Sequence, residues 1–196
     1  MALPLAFAML DLPAAGDLAR GEAEFLRGNA HCDAHEFADA LVCYERGSAL
    51  GYEDHILWNN KGVALDGLGR HEDAIQAYTR AMQLNPKYEI AVYNLGNAYA
   101  QLGQFQQALV AYDRALQVRP DYPDALYDRA LVLTHLGRTK AALQAYDALV
   151  RADTEITVTW TRRGNLLEEL NKIEEAVDEY KAATALNQND TVEWTG

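Results

Sequence analysis

Residues 89–122 read EIAVYNLGNAYAQLGQFQQALVAYDRALQVRPDY, and this stretch decides the fold of the chain. Small or apolar side chains recur at helical spacing in its first half, at Val92, Leu95, Gly96 and Tyr99. The same spacing returns in its second half, at Ala108, Tyr112 and Ala115. Gly103 separates the two helices, and Pro120 ends the second one. The stretch therefore predicts two helices that approach closely through their small residues.

This helix pair is one of five copies, because two residues recur every 34 positions along the chain. The alanines of the series are Ala40, Ala74, Ala108, Ala142 and Ala176. The tyrosines are Tyr44, Tyr78, Tyr112, Tyr146 and Tyr180. A small residue keeps the same spacing upstream, at Gly28, Gly62, Gly96, Ala130 and Gly164. Neither helix of a pair buries its apolar stripe alone, so we expect stability to come from stacking of neighbouring copies.

The pattern resembles the tetratricopeptide repeat (TPR), which runs Trp-x-x-Leu-Gly-x-x-Tyr, then Ala-x-x-x-Phe, then Ala and Pro. The resemblance implies an all-α fold, a right-handed superhelical α-solenoid of five helix-turn-helix repeats. We place the repeats at residues 21–54, 55–88, 89–122, 123–156 and 157–190. Positions within a repeat are numbered as places 1 to 34, so that place 1 is residue 21, 55, 89, 123 or 157.

The two ends of the chain depart from the repeat. Residues 1–20 are predicted to be an apolar N-terminal arm or a capping helix over the first repeat. Residues 191–196 resemble the start of an incomplete sixth repeat, because Trp194 matches Trp58 and Trp160. Either the chain is a fragment of a longer protein, or the open end meets a partner. The arm and the open C-terminal end are therefore candidate contacts for a homo-oligomer.

Composition excludes several classes of function. The 196 residues carry 29 acidic against 17 basic side chains and a formal net charge of −12, which repels nucleic acid. Cys32 and Cys43 are too few for the disulfide framework of a secreted domain. No apolar run approaches the ~20 residues that span a bilayer. We therefore expect a cytoplasmic protein that neither inserts into membranes nor binds DNA or RNA.

The resemblance implies that places 2, 5, 6, 9, 12 and 13 of the first helices line a concave groove that binds partner peptides. In this chain those places hold seven acidic residues and one permanently charged basic residue, Arg162. This excess of negative charge favours a basic partner segment. Asparagine amides can hydrogen-bond an extended backbone, and aromatic residues at place 5 are candidate anchors. The predicted binding residues are Phe25, Asn29, Asn59, Asn60, Asp66, Tyr93, Asn94, Asn97, Tyr127, Asp128, Arg162, Asn165, Glu168 and Glu169. The alternative is that the aromatic residues pack against neighbouring repeats and that acids at helix N-termini serve the helix dipole.

Other kinds of site find little support in the sequence. The carboxylate clamp of the family needs two lysines, and the best register, from Tyr93 to Arg162, has neither. His31 and His35 are spaced as a metal pair but fall on a core place and a turn place, so we predict no metal and no cofactor. No catalytic constellation is present, and we predict that the chain is not an enzyme. Two functions remain: a protein-binding scaffold or adaptor, or the non-catalytic TPR arm of a larger enzyme such as a glycosyltransferase.

Overall fold

The computed structural model describes residues 15–152 and 157–193, and these residues form helices and no strand. The chain divides into two compact units, residues 1–84 and residues 85–196. The described helices of the first unit are α1 (Ala15–Asp33), α2 (Phe37–Ala49), α3 (His55–Gly67) and α4 (His71–Leu84). Those of the second unit are α5 (Glu89–Gln101), α6 (Phe105–Val118), α7 (Pro123–His135), α8 (Thr139–Ala152), α9 (Thr157–Glu169) and α10 (Ile173–Glu193). The predicted all-α fold is confirmed.

The turn between the two helices of each repeat has one repeated conformation. The residue at place 15 has a positive φ in every repeat: His35 (60°), Gly69 (72°), Gly103 (70°), Gly137 (67°) and Asn171 (58°). Glycine adopts this left-handed backbone conformation without strain, whereas it is energetically unfavourable for a residue with a Cβ atom. In the third repeat the Gln104 backbone N–H then donates to the Tyr99 carbonyl at 2.9 Å, which closes the end of the first helix. The turn sets the antiparallel arrangement of the pair.

The core of each unit is built around the tyrosines at place 24. Tyr44, Tyr78, Tyr112 and Tyr146 are at most 1% exposed. Each of the first three rings lies directly against the glycine at place 8 of its own repeat. A Cβ atom added at Gly96 would lie 2.5 Å from the ring of Tyr112, and the same distance recurs at Gly28 and Gly62. The small residue of the sequence pattern therefore makes room for a ring.

The helix bounds at the two ends differ from the predicted segments. α1 begins at Ala15, so residues 15–20 of the predicted arm belong to the first helix, whereas residues 1–14 lie outside the described part. α10 continues without a break to Glu193 and thus takes up the first three residues of the predicted sixth repeat. Residues 194–196, with Trp194, lie outside the described part. None of the described helices is both long and apolar enough to cross a membrane.

Candidate binding surface

The predicted asparagines of the first unit are bonded to one another and to a core tyrosine. Asn29 accepts a hydrogen bond from the Tyr44 hydroxyl at 2.9 Å and another from the Asn60 amide at 3.0 Å. The Asn59 amide donates to Asn60 at 3.1 Å, and Asn59 is only 4% exposed. Asn59 therefore does not line an open surface as its place predicts, because its amide is turned into this network.

Phe25 and Asp66, the other predicted residues of the first unit, are also held by neighbours. The Phe25 ring stacks on Tyr52 with 5.5 Å between centroids. Asp66 accepts from the Tyr78 hydroxyl at 2.8 Å and contacts Nδ1 of His71 at 2.9 Å. The first unit thus uses its predicted binding residues largely in its own packing.

The hydroxyl groups of the place-24 tyrosines form the same kind of hydrogen bond in four of the repeats. Four of them donate to an acceptor on the first helix of the same repeat: Tyr44 to Asn29, Tyr78 to Asp66, Tyr112 to Asn97 and Tyr180 to Asn165, at 2.7–2.9 Å. The acceptor stands at place 9, or at place 12 in the second repeat, where place 9 is Val63. The fourth repeat has Leu131 at place 9, and the buried Tyr146 hydroxyl donates no hydrogen bond to a described residue. The Thr134 hydroxyl at place 12 lies near enough to oppose part of the rise in the pKa of Tyr146.

In the second unit, residues at the predicted groove places are hydrogen-bonded from one repeat to the next. The Tyr93 hydroxyl donates to Asp128 at 2.7 Å, and Nε of Arg162 donates to the Tyr127 hydroxyl at 2.9 Å. Both bonds join place 5 of one repeat to place 6 of the following repeat. The Tyr93 ring also packs against Tyr122, with 4.9 Å between centroids. The rings of Tyr93 and Tyr127 therefore contact tyrosine rings of their own repeats, and it is their hydroxyl groups that form hydrogen bonds to the next repeat.

A cavity of about 450 Å³ opens beside Asp128. Its lining residues are Asn97, Ala100, Gln101, Phe105, Tyr112, Asp128, Leu131, Val132 and His135. Burial raises the pKa of Asp128, and the hydrogen bond from Tyr93 only partly opposes this rise. No lysine or arginine of the described residues forms an ion pair with this carboxylate. The cavity thus combines apolar walls, two amides, the His135 imidazole and a half-buried acid that pairs with no lysine or arginine of the described residues.

The remaining predicted residues of the second unit differ in exposure and in hydrogen bonding. Asn94 is half-buried and Asn165 accepts from Tyr180. Glu168 and Glu169 are both exposed, and Glu169 accepts a hydrogen bond from the Thr139 hydroxyl at 3.2 Å. Among the groove acids of the second unit, Asp128 is the one that lines the cavity.

Sequence reasoning missed a series of ion pairs between repeats. The cation at place 7 of one repeat meets the acid at place 25 of the preceding repeat. The pairs are Lys61–Glu45 at 3.7 Å, Arg129–Asp113 at 2.5 Å and Arg163–Asp147 at 2.6 Å. Each pair is separated by 16 positions, and that spacing of opposite charges was a signal available in the sequence.

The histidines considered as a metal pair point to different partners. Nδ1 of His31 lies 2.6 Å from Glu36, with Asp39 nearby, and the His35 ring meets the edge of Phe37. Cys32 and Cys43 are both free thiols. The two histidines therefore do not form the pair that their spacing suggested.

Comparison with known proteins identifies the repeat. Models of the tetratricopeptide repeat match residues 67–103, 93–155 and 158–190. The chain belongs to the tetratricopeptide repeat family. The TPR models extend through both helices of the repeats that carry the Asp128 cavity.

Solved structures show the same TPR fold. Two crystal structures of MamA share 22% identity with the chain, with TM-scores of 0.80 and 0.81. They cover 84% and 88% of this chain, and 96% and 94% of their own. MamA from Desulfovibrio magneticus RS-1, from residue 41 to its end, has a TM-score of 0.81 at 16% identity and covers 87% of this chain and 96% of its own. A search of curated proteins finds no match.

Proposed function

We propose that the chain is a non-catalytic adaptor that binds a basic segment of another protein on the second unit, with a lysine or arginine side chain in the Asp128 cavity. TPR proteins present rows of side chains from stacked first helices, and this chain presents such a row from α5, α7 and α9. The observation that carries the proposal is the half-buried Asp128 carboxylate, which pairs with no described lysine or arginine, beside an apolar cavity.

The chemistry of the cavity favours a cationic side chain over a neutral one. Burying a carboxylate is costly unless it is paired, so a cation that reaches Asp128 recovers part of that cost. The apolar walls formed by Leu131 and Val132 can cover the methylene stem of a lysine or arginine. The Asn97 and Gln101 amides stand at the same cavity and are able to bond the backbone of an extended segment.

The first test compares Asp128→Asn with the wild type in a pull-down from the native lysate, with partners identified by mass spectrometry. Asparagine keeps an acceptor for the Tyr93 hydroxyl and already occupies place 6 in Asn60 and Asn94, so the variant should fold. Asp121→Asn is the matched control, because Asp121 is exposed and lies outside the cavity.

We expect partners with a basic segment to be lost from Asp128→Asn and retained by Asp121→Asn. An array of short peptides with Lys, Arg, Leu or Glu at the central position then measures the preference directly. Removing a charge-assisted pair should weaken the Lys and Arg peptides about tenfold and leave the Leu peptides unchanged. Equal binding of all four classes would refute the proposal.

A further inference from the structure

The last helix of the second unit leaves a face exposed that the corresponding helices of other repeats bury. Val177 at place 21 is 43% exposed, whereas Leu41 and Leu109 at the same place are 7% and 5% exposed. Tyr180 is half-buried, in contrast to the other four place-24 tyrosines. In the first unit α3 packs on α2, and in the second unit α7 packs on α6. The face of α10 is thus one that a following first helix would cover.

This α10 face has a definite shape and composition. It surrounds a recess of about 430 Å³ and consists of Val177, Tyr180, Lys181, Thr184 and Ala185. Most of these side chains are apolar or small, as expected of a surface that packs against a helix. The one full charge in the recess belongs to Lys181.

The charge on this face is opposite to that at the repeat junctions inside each unit. Place 25 is acidic in Glu45, Asp113 and Asp147, and each of these acids meets a cation of the next first helix. In the last repeat place 25 is Lys181, whose side chain is 72% exposed. Its ion pair with Asp178 on the same helix, at 3.1 Å, lies on the surface and contributes little. Lys181 is therefore available to a docking helix.

We propose that the α10 face binds an amphipathic helix of a partner protein, and that an acidic residue of this helix pairs with Lys181. The geometry follows from the repeat junctions, where place 7 of the incoming helix lies opposite place 25. A second copy of this chain stacked head to tail would bring Arg27, its own place-7 residue, against Lys181. Two cations repel at that position, so the charge selects a different partner. This surface is independent of the Asp128 cavity and does not rest on the proposed function.

The probe for this proposal is a helix taken from the chain itself. α9 packs on α8, so a stapled helical peptide of residues 157–169 has the shape that fits the face of a second helix. Two peptides are compared, one with the native Arg163 and one with Arg163→Glu. Their affinities are measured by fluorescence anisotropy for the wild type, Lys181→Glu and the control Lys172→Glu, which makes the same charge change outside the recess.

We expect the Glu peptide to bind the wild type about fivefold more tightly than the Arg peptide. The Glu peptide forms a partly exposed ion pair with Lys181, whereas the Arg peptide is repelled by it. Lys181→Glu should reverse this order, and Lys172→Glu should preserve it. Three results would overturn the proposal: binding of neither peptide, equal binding of both, or an order that Lys181→Glu leaves unchanged. A concentration-dependent dimer of the wild type that Val177→Lys abolishes would assign the face to a second copy instead.

Discussion

At the scale of single side chains, four of the five place-24 tyrosines bring a hydroxyl group into the interior beside a helix, and the fifth, Tyr180, is half-buried. Burial raises the pKa of every one of them, that of Tyr146 to about 12, so all remain protonated donors that need an acceptor. Four repeats provide this acceptor from place 9 or place 12. In the fourth repeat the buried Tyr146 hydroxyl lacks one among the described residues.

This difference predicts opposite outcomes for two equivalent substitutions. Tyr112→Phe removes the donor that Asn97 accepts at 2.7 Å and should cost about 1 kcal/mol of the free energy of unfolding. Tyr146→Phe removes a hydroxyl that donates to no described acceptor and should leave stability unchanged or raise it. Urea unfolding followed by circular dichroism measures both variants. A Tyr146→Phe variant as destabilised as Tyr112→Phe would contradict the argument.

The raised pKa of Asp128 predicts a pH dependence with a definite sign. The folded protein holds this proton more tightly than the unfolded chain, whose carboxyl has the ordinary value of 3.8. Stability from this group is therefore present at low pH and is lost as the pH rises above 3.8 through the raised pKa. Asp128→Asn cannot ionise, so its stability relative to the wild type should increase over that interval. Unfolding curves from pH 4 to pH 7 test this, and a difference that is constant with pH would contradict it.

The sequence predicts which side chains are buried better than it predicts which of them bond one another. Recurrence every 34 residues indicated which tyrosines and small residues face the interior of each helix pair, because burial follows helical periodicity, but it did not show that each tyrosine ring lies against the place-8 glycine. It could not show that Asn29 and Asn97 bond tyrosine hydroxyls. An amide on the groove face has the same spacing whether it binds a ligand or a neighbouring side chain. For Asp128, the lack of an ion pair with a described lysine or arginine becomes visible only when the three helices that line the cavity are brought together.

At the scale of helices, the distance between the two members of a pair is set by the residue at place 8. A Cβ atom at Gly96 would fall 2.5 Å from the Tyr112 ring, which is fully enclosed and cannot move aside easily. Ala130 shows that the fold tolerates a methyl group there once, and it does so in the repeat whose tyrosine has lost its acceptor.

Gly96→Ala should therefore destabilise the protein by about 1–3 kcal/mol, the usual cost of overpacking a core, despite the higher helix propensity of alanine. Gly16→Ala is the control, since a Cβ atom there meets nothing within 4 Å and gains only the propensity. Thermal unfolding of both variants gives the comparison. If Gly96→Ala were as stable as Gly16→Ala, the place-8 glycine would not be setting the helix separation.

At the scale of the whole molecule, the proposed functions belong to the second unit. The hydrogen bonds Tyr93–Asp128 and Arg162–Tyr127, the Asp128 cavity and the α10 face all lie within residues 85–196. This unit contains three helix pairs, the number at which stacked repeats generally become stable, whereas residues 15–84 contain two. Stability in repeat proteins is approximately a sum of contributions from each repeat and from the contacts between neighbouring repeats. The three stacked helix pairs of the second unit are therefore expected to fold without the first unit.

We therefore expect a fragment of residues 85–196 to fold cooperatively and to bind the peptides preferred by the full chain with affinities within about twofold. Circular dichroism during urea unfolding and anisotropy with the labelled peptides provide the two measurements. The fragment of residues 15–84 is the control, and we expect it to be marginally stable and to bind none of them. A folded 85–196 fragment with more than tenfold weaker binding would show that the first unit contributes residues to the site. An unfolded fragment would show instead that the nearest-neighbour contribution from residues 1–84 is required for the second unit to form.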